Sequence, residues 1–216
     1  MDAQRRFVAE PADPCELRAR AATYAFLSRA LDDEDLPDEF FRTLAGMGLR
    51  TGTELDAFAA GLAGLSADEL DAQRREVAAD HASGLLGMSA DPVSPYESAH
   101  TSAGRLTMQD SRDKAVAAYA ASGLARQTWP RLPEDHIAFE LDFAGGLLAR
   151  AAAETGEDPD RARRDLASHA AFVRDRLAPW VPGLADELEA HSATPFYRGV
   201  AQMLREFVRQ EAELAG

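Results

Sequence analysis

Residues 13–31 read DPCELRARAATYAFLSRAL and contain the signals of a complete amphipathic helix. Asp13 followed by Pro14 is typical of an N-cap with proline at the first helical position. Apolar side chains then recur at spacings of three and four as far as Leu31, which is the period of one helix face. The acidic run Asp32–Asp35 ends this pattern, and we expect it on a solvated turn.

The same helical signals continue to the end of the chain. Ser66 and Glu69 have the spacing of a capping box. No segment alternates apolar and polar residues as a half-buried strand does, and no internal repeat is visible. The sequence therefore predicts an all-α fold, a bundle of about nine or ten helices. After the first helix, further helices are predicted to begin near Pro37, Thr53, Ser66, Asp110, Pro133, Asp158 and Thr194, with a short one after a turn at 180–183.

The helical period fails between Leu85 and about Gln109, where proline, serine and glycine are frequent. A loop longer than about 15 residues in a compact domain is usually functional or a linker. Such a connector also suits helix exchange between protomers, so both a monomer and a hinge-swapped homodimer remain open. We predict one domain, 1–216, with an N-terminal lobe at about 13–86, a connecting loop at about 87–109 and a C-terminal lobe at about 110–216.

The composition is that of a globular protein with a strong negative charge. Of 216 residues, 46% are hydrophobic and 28% are charged, and the 37 acidic against 23 basic side chains give a net charge of -14. This charge repels phosphate backbones and anionic lipid, which argues against nucleic acid or a membrane surface as a partner. It attracts a basic peptide or protein, although acidity that serves solubility alone is the alternative interpretation.

The compartment is indicated by three features. The single cysteine, Cys15, excludes an intramolecular disulfide and is typical of a reducing compartment. No apolar run approaches the roughly 18 residues that a membrane span requires. Arg5-Arg6-Phe7 is similar to the start of a twin-arginine export signal, but residues 8–14 are acidic and broken by proline where a signal is apolar. We therefore expect a cytoplasmic protein without membrane insertion.

The chemistry of common enzyme classes is missing from the sequence. It has no glycine-rich phosphate loop, dinucleotide-binding motif or Gly-x-Ser-x-Gly nucleophile elbow. Glu97 and His100 have the Glu-x-x-His spacing of di-iron bundles, but that site needs a second copy on a facing helix, and no other histidine has a carboxylate three residues before it. We expect no catalytic residue, metal or cofactor, and we keep a helical metal- or nucleotide-binding enzyme as the alternative.

Two further segments call for an explanation. The first, Ser94–Ser98, lies in the central loop, and the second is Pro133–Ile137. For the second segment, a structural interpretation places proline at the first helical position and two acids in the first turn, at the positive end of the helix dipole. That interpretation leaves His136 unexplained, since a histidine in a first turn opposes the dipole.

Three motifs in this order resemble the TorD/DmsD family of redox-enzyme maturation chaperones: Ser94-Pro95-Tyr96-Glu97-Ser98, then Val116–Leu124, then Pro133-Glu134-Asp135-His136-Ile137. The resemblance extends from Tyr24 to about Phe207 and is specific between 94 and 148. Chaperones of the related nitrate-reductase type share the helical pattern but match the central motifs less well. His100 departs from the family pattern, which usually has an aromatic residue there.

The resemblance implies a function. Members of the family are all-helical cytoplasmic proteins that bind the twin-arginine leader of a molybdopterin oxidoreductase, of the DMSO or TMAO reductase type. They hold the apoenzyme until its molybdenum cofactor is inserted, and they prevent premature export. They are not enzymes, and the resemblance implies no cofactor for this chain. An acidic surface suits a leader that carries two arginines.

The resemblance also implies site residues. We expect leader arginines to meet surface carboxylates at Glu97, Glu134, Asp135 or Glu140, and the leader's apolar stretch to occupy a groove. That groove would be lined by Tyr96, Phe139 and Phe143; the alternative interpretation is that Phe139 and Phe143 are ordinary core residues. The full predicted client-binding set is Pro95, Tyr96, Glu97, Ser98, Tyr119, Gly123, Pro133, Asp135, His136, Phe139, Glu140 and Phe143.

Overall fold

The computed structural model describes residues 13–32, 34–124 and 132–216. The Arg5-Arg6-Phe7 motif lies outside these residues. Apart from one isolated β-bridge, the described part contains helices and turns, which confirms the all-α prediction. Its helices are α1 (Pro14–Asp32), α2 (Asp38–Gly46), α3 (Glu54–Gly61), α4 (Ala67–Gly84), α5 (Glu97–Thr101), α6 (Asp110–Ala121), α7 (Ile137–Glu154), α8 (Pro159–Phe172), a π-helical turn (Val173–Leu177), α9 (Val181–His191) and α10 (Pro195–Ala215).

Side-chain caps begin several helices where the sequence predicts them. Ser66 and Glu69 form the predicted capping box, in which each side chain accepts a hydrogen bond from the other residue's backbone N–H. Asp158 caps α8 by accepting from the N–H of Arg161, and Thr194 caps α10 by accepting from the N–H of Tyr197. These bonds satisfy N–H groups that have no partner inside the helix.

Three predictions of local structure are wrong. The stretch 85–109, predicted to be irregular, contains the short helix α5. The turn predicted at 180–183 is already helical from Val181, with Trp180 as N-cap; proline is tolerated in a first helical turn because its missing N–H would have no partner there. The helix predicted from Pro133 begins only at Ile137, because the residue before it, His136, is extended and pairs with Tyr96.

Close helix packing joins the two halves of the chain. A Cβ atom on Gly145 of α7 would lie 2.7 Å from the Cβ of Tyr24, so glycine lets α1 approach α7 closely. In the same way, a Cβ on Gly199 of α10 would clash with the backbone nitrogen of Leu55 in α3. One hydrophobic cluster includes buried side chains from before and after the central stretch. The lobe boundaries at 87 and 109 stay a prediction.

A buried polar network fastens α10 to this core. Glu211 is 2% exposed and accepts hydrogen bonds from Nε and Nη2 of Arg20, at 2.7 and 2.8 Å. The Tyr24 hydroxyl donates to the same carboxylate at 3.1 Å, and Nε2 of His169 lies 3.2 Å from it. One carboxylate therefore ties α1, α8 and α10 together. In the described part of the chain, no helix is long and apolar enough to cross a bilayer.

Candidate functional site

The two predicted motif segments pair through their backbones. Tyr96 and His136 form an antiparallel β-bridge, the one bridge among the described residues. The N–H of Ile137 donates to the carbonyl of Pro95 at 2.8 Å, and the N–H of Glu97 donates to the carbonyl of Asp135 at 2.9 Å. The structure thus brings together segments that lie on either side of α6.

This pairing explains where α7 begins. The backbone of His136 is extended, with φ -71° and ψ 135°, and is held in the bridge to Tyr96, so the helix begins only at the next residue, Ile137. His136 is the N-cap of α7, and its Nδ1 accepts a hydrogen bond from the N–H of Ala138 at 3.2 Å. Pro133, Glu134 and Asp135 therefore lie before the helix, which corrects the first-turn interpretation. Capping also explains why a histidine lies here, which the helix dipole alone does not, since its Nδ1 accepts a hydrogen bond at the start of α7.

Asp135 is fully buried rather than on the surface. Its side chain is 0% exposed, and Oδ2 accepts a hydrogen bond from the N–H of Ser98 at 3.0 Å. That N–H belongs to the first turn of α5, so the carboxylate supports the start of this short helix. The sequence predicted a carboxylate on the surface beside the leader, but the structure buries it against the first turn of α5.

Glu97 and Glu140 are also buried, because both pair with an arginine from a distant part of the chain. Nη2 of Arg176 contacts the carboxylate of Glu97, lies 2.9 Å from Oε1 of Glu140 and donates to the carbonyl of Ser111 at 2.9 Å. Arg176, Glu97 and Glu140 are 8%, 6% and 0% exposed. The expectation that Glu97 and Glu140 lie on the surface is therefore wrong, while client binding by these residues stays a prediction.

Sequence reasoning missed Arg176 altogether. The residue lies in the π-helical turn Val173–Leu177, far along the chain from its partners, and its neighbours Arg174 and Asp175 form an ordinary exposed pair. A single arginine in an arginine-rich helix carries no local signal of burial. A π-helical turn is often found at a functional site, but nothing in the sequence predicts one here.

The buried carboxyl groups have perturbed proton affinities. Burial raises the pKa of Glu97, and the charge of Asp135 adds to this effect, while Arg176 and a hydrogen bond with Glu140 oppose it. Burial, followed by the charge of Glu97, raises the pKa of Glu140 well above its usual range. The Glu97–Glu140 pair therefore retains a proton to higher pH than exposed carboxyl groups do.

Glu134 is engaged at the edge of the site. Its carboxylate pairs with Arg112 of α6 at 2.6 Å, and its carbonyl accepts a hydrogen bond from the Tyr119 hydroxyl at 2.8 Å. Pro133, next to it, is half-buried. These contacts hold the turn before α7 against α6.

The predicted aromatic groove is mostly interior. Phe139 is 6% exposed and Phe143 is 8% exposed, and the Phe143 ring packs on Tyr119 and Phe172 with centroids 4.7 and 4.8 Å apart. Tyr96 is half-buried. In this conformation the three rings do not line an open groove, because two of them are buried. Client binding by these residues stays a prediction.

Gly123 closes α6 with a backbone that favours glycine. Its φ is +63°, and its N–H donates to the carbonyl of Ala120 at 3.1 Å. An L-residue with a side chain is strained at this φ. The structure thus provides a conformational reason for glycine at this predicted site position.

Glu97 and His100 turn to different partners. Glu97 faces Arg176, whereas Nε2 of His100 lies 2.8 Å from the carbonyl of Ser94 and its ring lies against Trp180, with centroids 5.2 Å apart. Over the described ranges, no group of three or more His, Cys, Asp or Glu side chains is arranged to hold a metal ion.

Comparisons with known proteins agree with the motif assignment. A family model described as nitrate reductase delta subunit matches residues 49–186. A protein named Chaperone protein TorD from Photobacterium profundum is 31% identical over 195 residues, which are 87% of this chain and 88% of the relative. Proteins of the same name from Vibrio cholerae and Aliivibrio salmonicida are 30% and 29% identical over 146 residues, covering 67% and 65% of this chain and 64% and 65% of theirs. The chain therefore belongs to the TorD/DmsD family of redox-enzyme maturation chaperones.

Proposed function

We propose that this chain is a cytoplasmic, client-specific chaperone for a molybdopterin oxidoreductase of the DMSO or TMAO reductase type. It binds the twin-arginine leader and the apo form of that enzyme, assists insertion of the molybdenum cofactor and prevents premature export. The observation that carries the proposal is the backbone pairing of Pro95–Glu97 with Asp135–Ile137, which joins the two motifs most specific to the family.

The charge of the protein supports this choice of partner. A net charge of -14 steers a leader with two arginines toward the protein, and this steering is screened over about 8 Å at physiological ionic strength. The carboxyl groups of Glu97, Asp135 and Glu140 are buried, so any contact they make is screened less than a surface pair. Raised salt should therefore weaken leader binding without abolishing it.

Titration calorimetry with a synthetic leader peptide tests the proposal. The peptide is taken from a molybdoenzyme encoded beside the gene for this chain. We expect saturable binding with one site per chain, and we expect loss of binding when the apolar segment of the leader is replaced by serines. A scrambled leader of the same composition is the control. Equal affinity for the intact, serine-substituted and scrambled peptides would overturn the proposal.

The alternative, a helical metal- or nucleotide-binding enzyme, makes a different prediction. Iron or zinc retained stoichiometrically after dialysis would favour the enzyme. The contacts of Glu97 and His100 with separate partners give the alternative no support from this structure.

Both a monomer and a hinge-swapped homodimer are compatible with the long stretch between α4 and α6. In the swapped form, α1 of one protomer would pack on α7 of the other. Size-exclusion chromatography should then give monomer and dimer peaks that interconvert slowly, because exchange requires the α1–α7 contact to open. A single monomer peak at every concentration would contradict the swapped dimer.

A further inference from the structure

The buried side chains next to the Tyr96–His136 bridge carry more acid than base. Two carboxyl groups, from Glu97 and Glu140, contact one guanidinium, from Arg176, and a third, from Asp135, lies close enough for its charge to raise the pKa of Glu97. Each of these four residues is at most 8% exposed. In the described part of the chain, Arg176 is the one cation that pairs with Glu97 and Glu140. Even with a proton shared between Glu97 and Glu140, negative charge remains in excess.

Several atoms of this cluster are buried without a hydrogen-bond partner in the described structure. They are Oδ1 of Asp135, Oε2 of Glu140 and Oγ of Ser98, all in side chains that are 0% exposed. Buried polar groups are normally paired, because leaving one unpaired costs about 1–3 kcal/mol. Two carboxylate oxygens without donors, beside a serine hydroxyl that has no partner, point to a missing donor group.

Arg176 satisfies the cluster only in part. Its Nη2 is shared by Glu97, Glu140 and the carbonyl of Ser111, while its Nε is buried without a partner. The residue is held by a π-helical turn, a local insertion in helical register that is frequent at functional sites. A poorly satisfied guanidinium on such a turn is held less firmly than a bidentate arginine pair.

We propose that Glu97, Asp135 and Glu140 form a guanidinium subsite, which Arg176 occupies in the free chain and which an arginine of the bound leader takes over. This inference rests on the proposed function, since the leader supplies the arginine. It assigns Arg176 the role of an internal placeholder. Leader binding then exchanges one arginine for another, so the subsite holds a cation both in the free chain and in the complex.

The chemistry of the cluster selects a guanidinium over other cations. The site already contains one, and its acceptors are carboxylate, hydroxyl and carbonyl oxygens, which suit the several N–H donors of a planar guanidinium. Lysine presents a compact point charge and cannot bridge separated acceptors in the same way. The described carboxyl groups are not arranged as metal ligands.

The placeholder role makes an unusual prediction for Arg176→Ala. Removing an internal competitor raises the apparent affinity for the leader, by about tenfold if the vacant state is about a tenth populated in the wild type. An arginine that is only structural would give an equal or lower affinity when removed. The matched control is Arg198→Ala, because Arg198 also bridges a carboxylate, Glu54, and backbone carbonyls, but lies outside the site. We expect its leader affinity to equal that of the wild type.

A second measurement needs no peptide and separates the subsite from the proposed function. Millimolar ethylguanidinium should raise the melting temperature of Arg176→Ala, whereas ethylammonium should not, and neither should raise that of the wild type. Failure of ethylguanidinium to stabilise a folded Arg176→Ala protein would overturn the subsite. If the wild type binds no leader while this rescue occurs, the proposed function fails and the subsite stands.

If Arg176→Ala does not fold, a double-mutant cycle decides. Glu97→Gln and a leader with both arginines changed to glutamine should each weaken binding, and together they should weaken it less than the product of the two effects. Independent effects would mean that Glu97 does not meet a leader arginine, and the proposal would be wrong.

Discussion

His136 and Tyr96 face each other across the β-bridge with their rings edge to face, the centroids 5.2 Å apart and the planes at 75°. This one contact couples the start of α7 to the segment that leads into α5. The ring of His136 contributes to the contact with Tyr96, and its Nδ1 caps α7. Capping and ring contact can be separated by substitution, because asparagine is a good N-cap but has no aromatic ring.

We expect His136→Ala to lower the free energy of unfolding by about 1 kcal/mol through loss of the cap, and His136→Asn to restore most of it. If the imidazole contacts the client, both variants should bind the leader more weakly. Thermal melts and calorimetry on the two variants measure the two effects. Full leader affinity in His136→Asn would mean that His136 acts only as a cap.

Asp135 should be more important for stability than a residue in a helical first turn. Asp135→Ala leaves the buried N–H of Ser98 without an acceptor, which should cost about 1–3 kcal/mol. Asp135→Asn retains an acceptor oxygen for this N–H and should lower the stability less. Weaker leader binding by this variant would mean that the negative charge of Asp135 contributes to binding. Denaturant unfolding of both variants checks the order, and equal stability of Asp135→Ala and the wild type would contradict the structure.

The close approach of α1 and α7 can be tested with adjacent glycines. Gly145→Ala places a methyl group 2.7 Å from the Cβ of Tyr24 and should destabilise the protein by about 1–3 kcal/mol. Gly146→Ala is the control, because its methyl group meets Leu124 at an ordinary 3.6 Å. This variant should be more stable than the wild type by about 0.5–1 kcal/mol, since alanine favours a helix over glycine. Chemical denaturation measures both, and equal effects would contradict the close packing.

Acid should destabilise the protein through Glu211. Burial alone would raise its pKa, but hydrogen bonds from His169 and Arg20 outweigh burial and lower the pKa to about 2. A lowered folded-state pKa contributes stability above the ordinary glutamate range, and this stability is lost as the pH falls from about 4.5 toward 2. Allowing for partial screening by solvent, the contribution is about 2–3 kcal/mol.

Glu211→Gln isolates this contribution. The variant should be less stable than the wild type at pH 7, and the difference should shrink as the pH falls below about 4.5. Unfolding free energies measured at several pH values provide the comparison. A difference that stays constant with pH would mean that the Glu211 carboxylate is not held ionised by Arg20 and His169.

Local signals in the sequence predicted most of the fold, while long-range pairing determined the rest. Ser66, Asp158 and Thr194 begin helices as predicted, because a cap depends on residues within one turn. The start of α7 could not be predicted in this way: the helix signal at Pro133 is overridden by backbone pairing with Pro95 and Glu97, which are distant in sequence.

The candidate site shows the same division. The two motifs were identified as one site from their resemblance to a family, and the structure brings them together. Their exposure could not be predicted, since carboxylates in polar segments usually lie on the surface. Glu97 and Glu140 are buried because Arg176 reaches them from the π-helical turn, and that arginine is unremarkable in sequence.

The packing of α1 on α7 has a consequence for the synthesis of the chain. The apolar face of α1 is complete once residue 32 has been made, but its main partner ends only at Glu154. Translation proceeds at about 5–20 residues per second, so this face waits for several seconds on the ribosome without its native cover. A protein proposed to shield the unfinished chains of others thus passes through a stage in which its own first helix needs shielding.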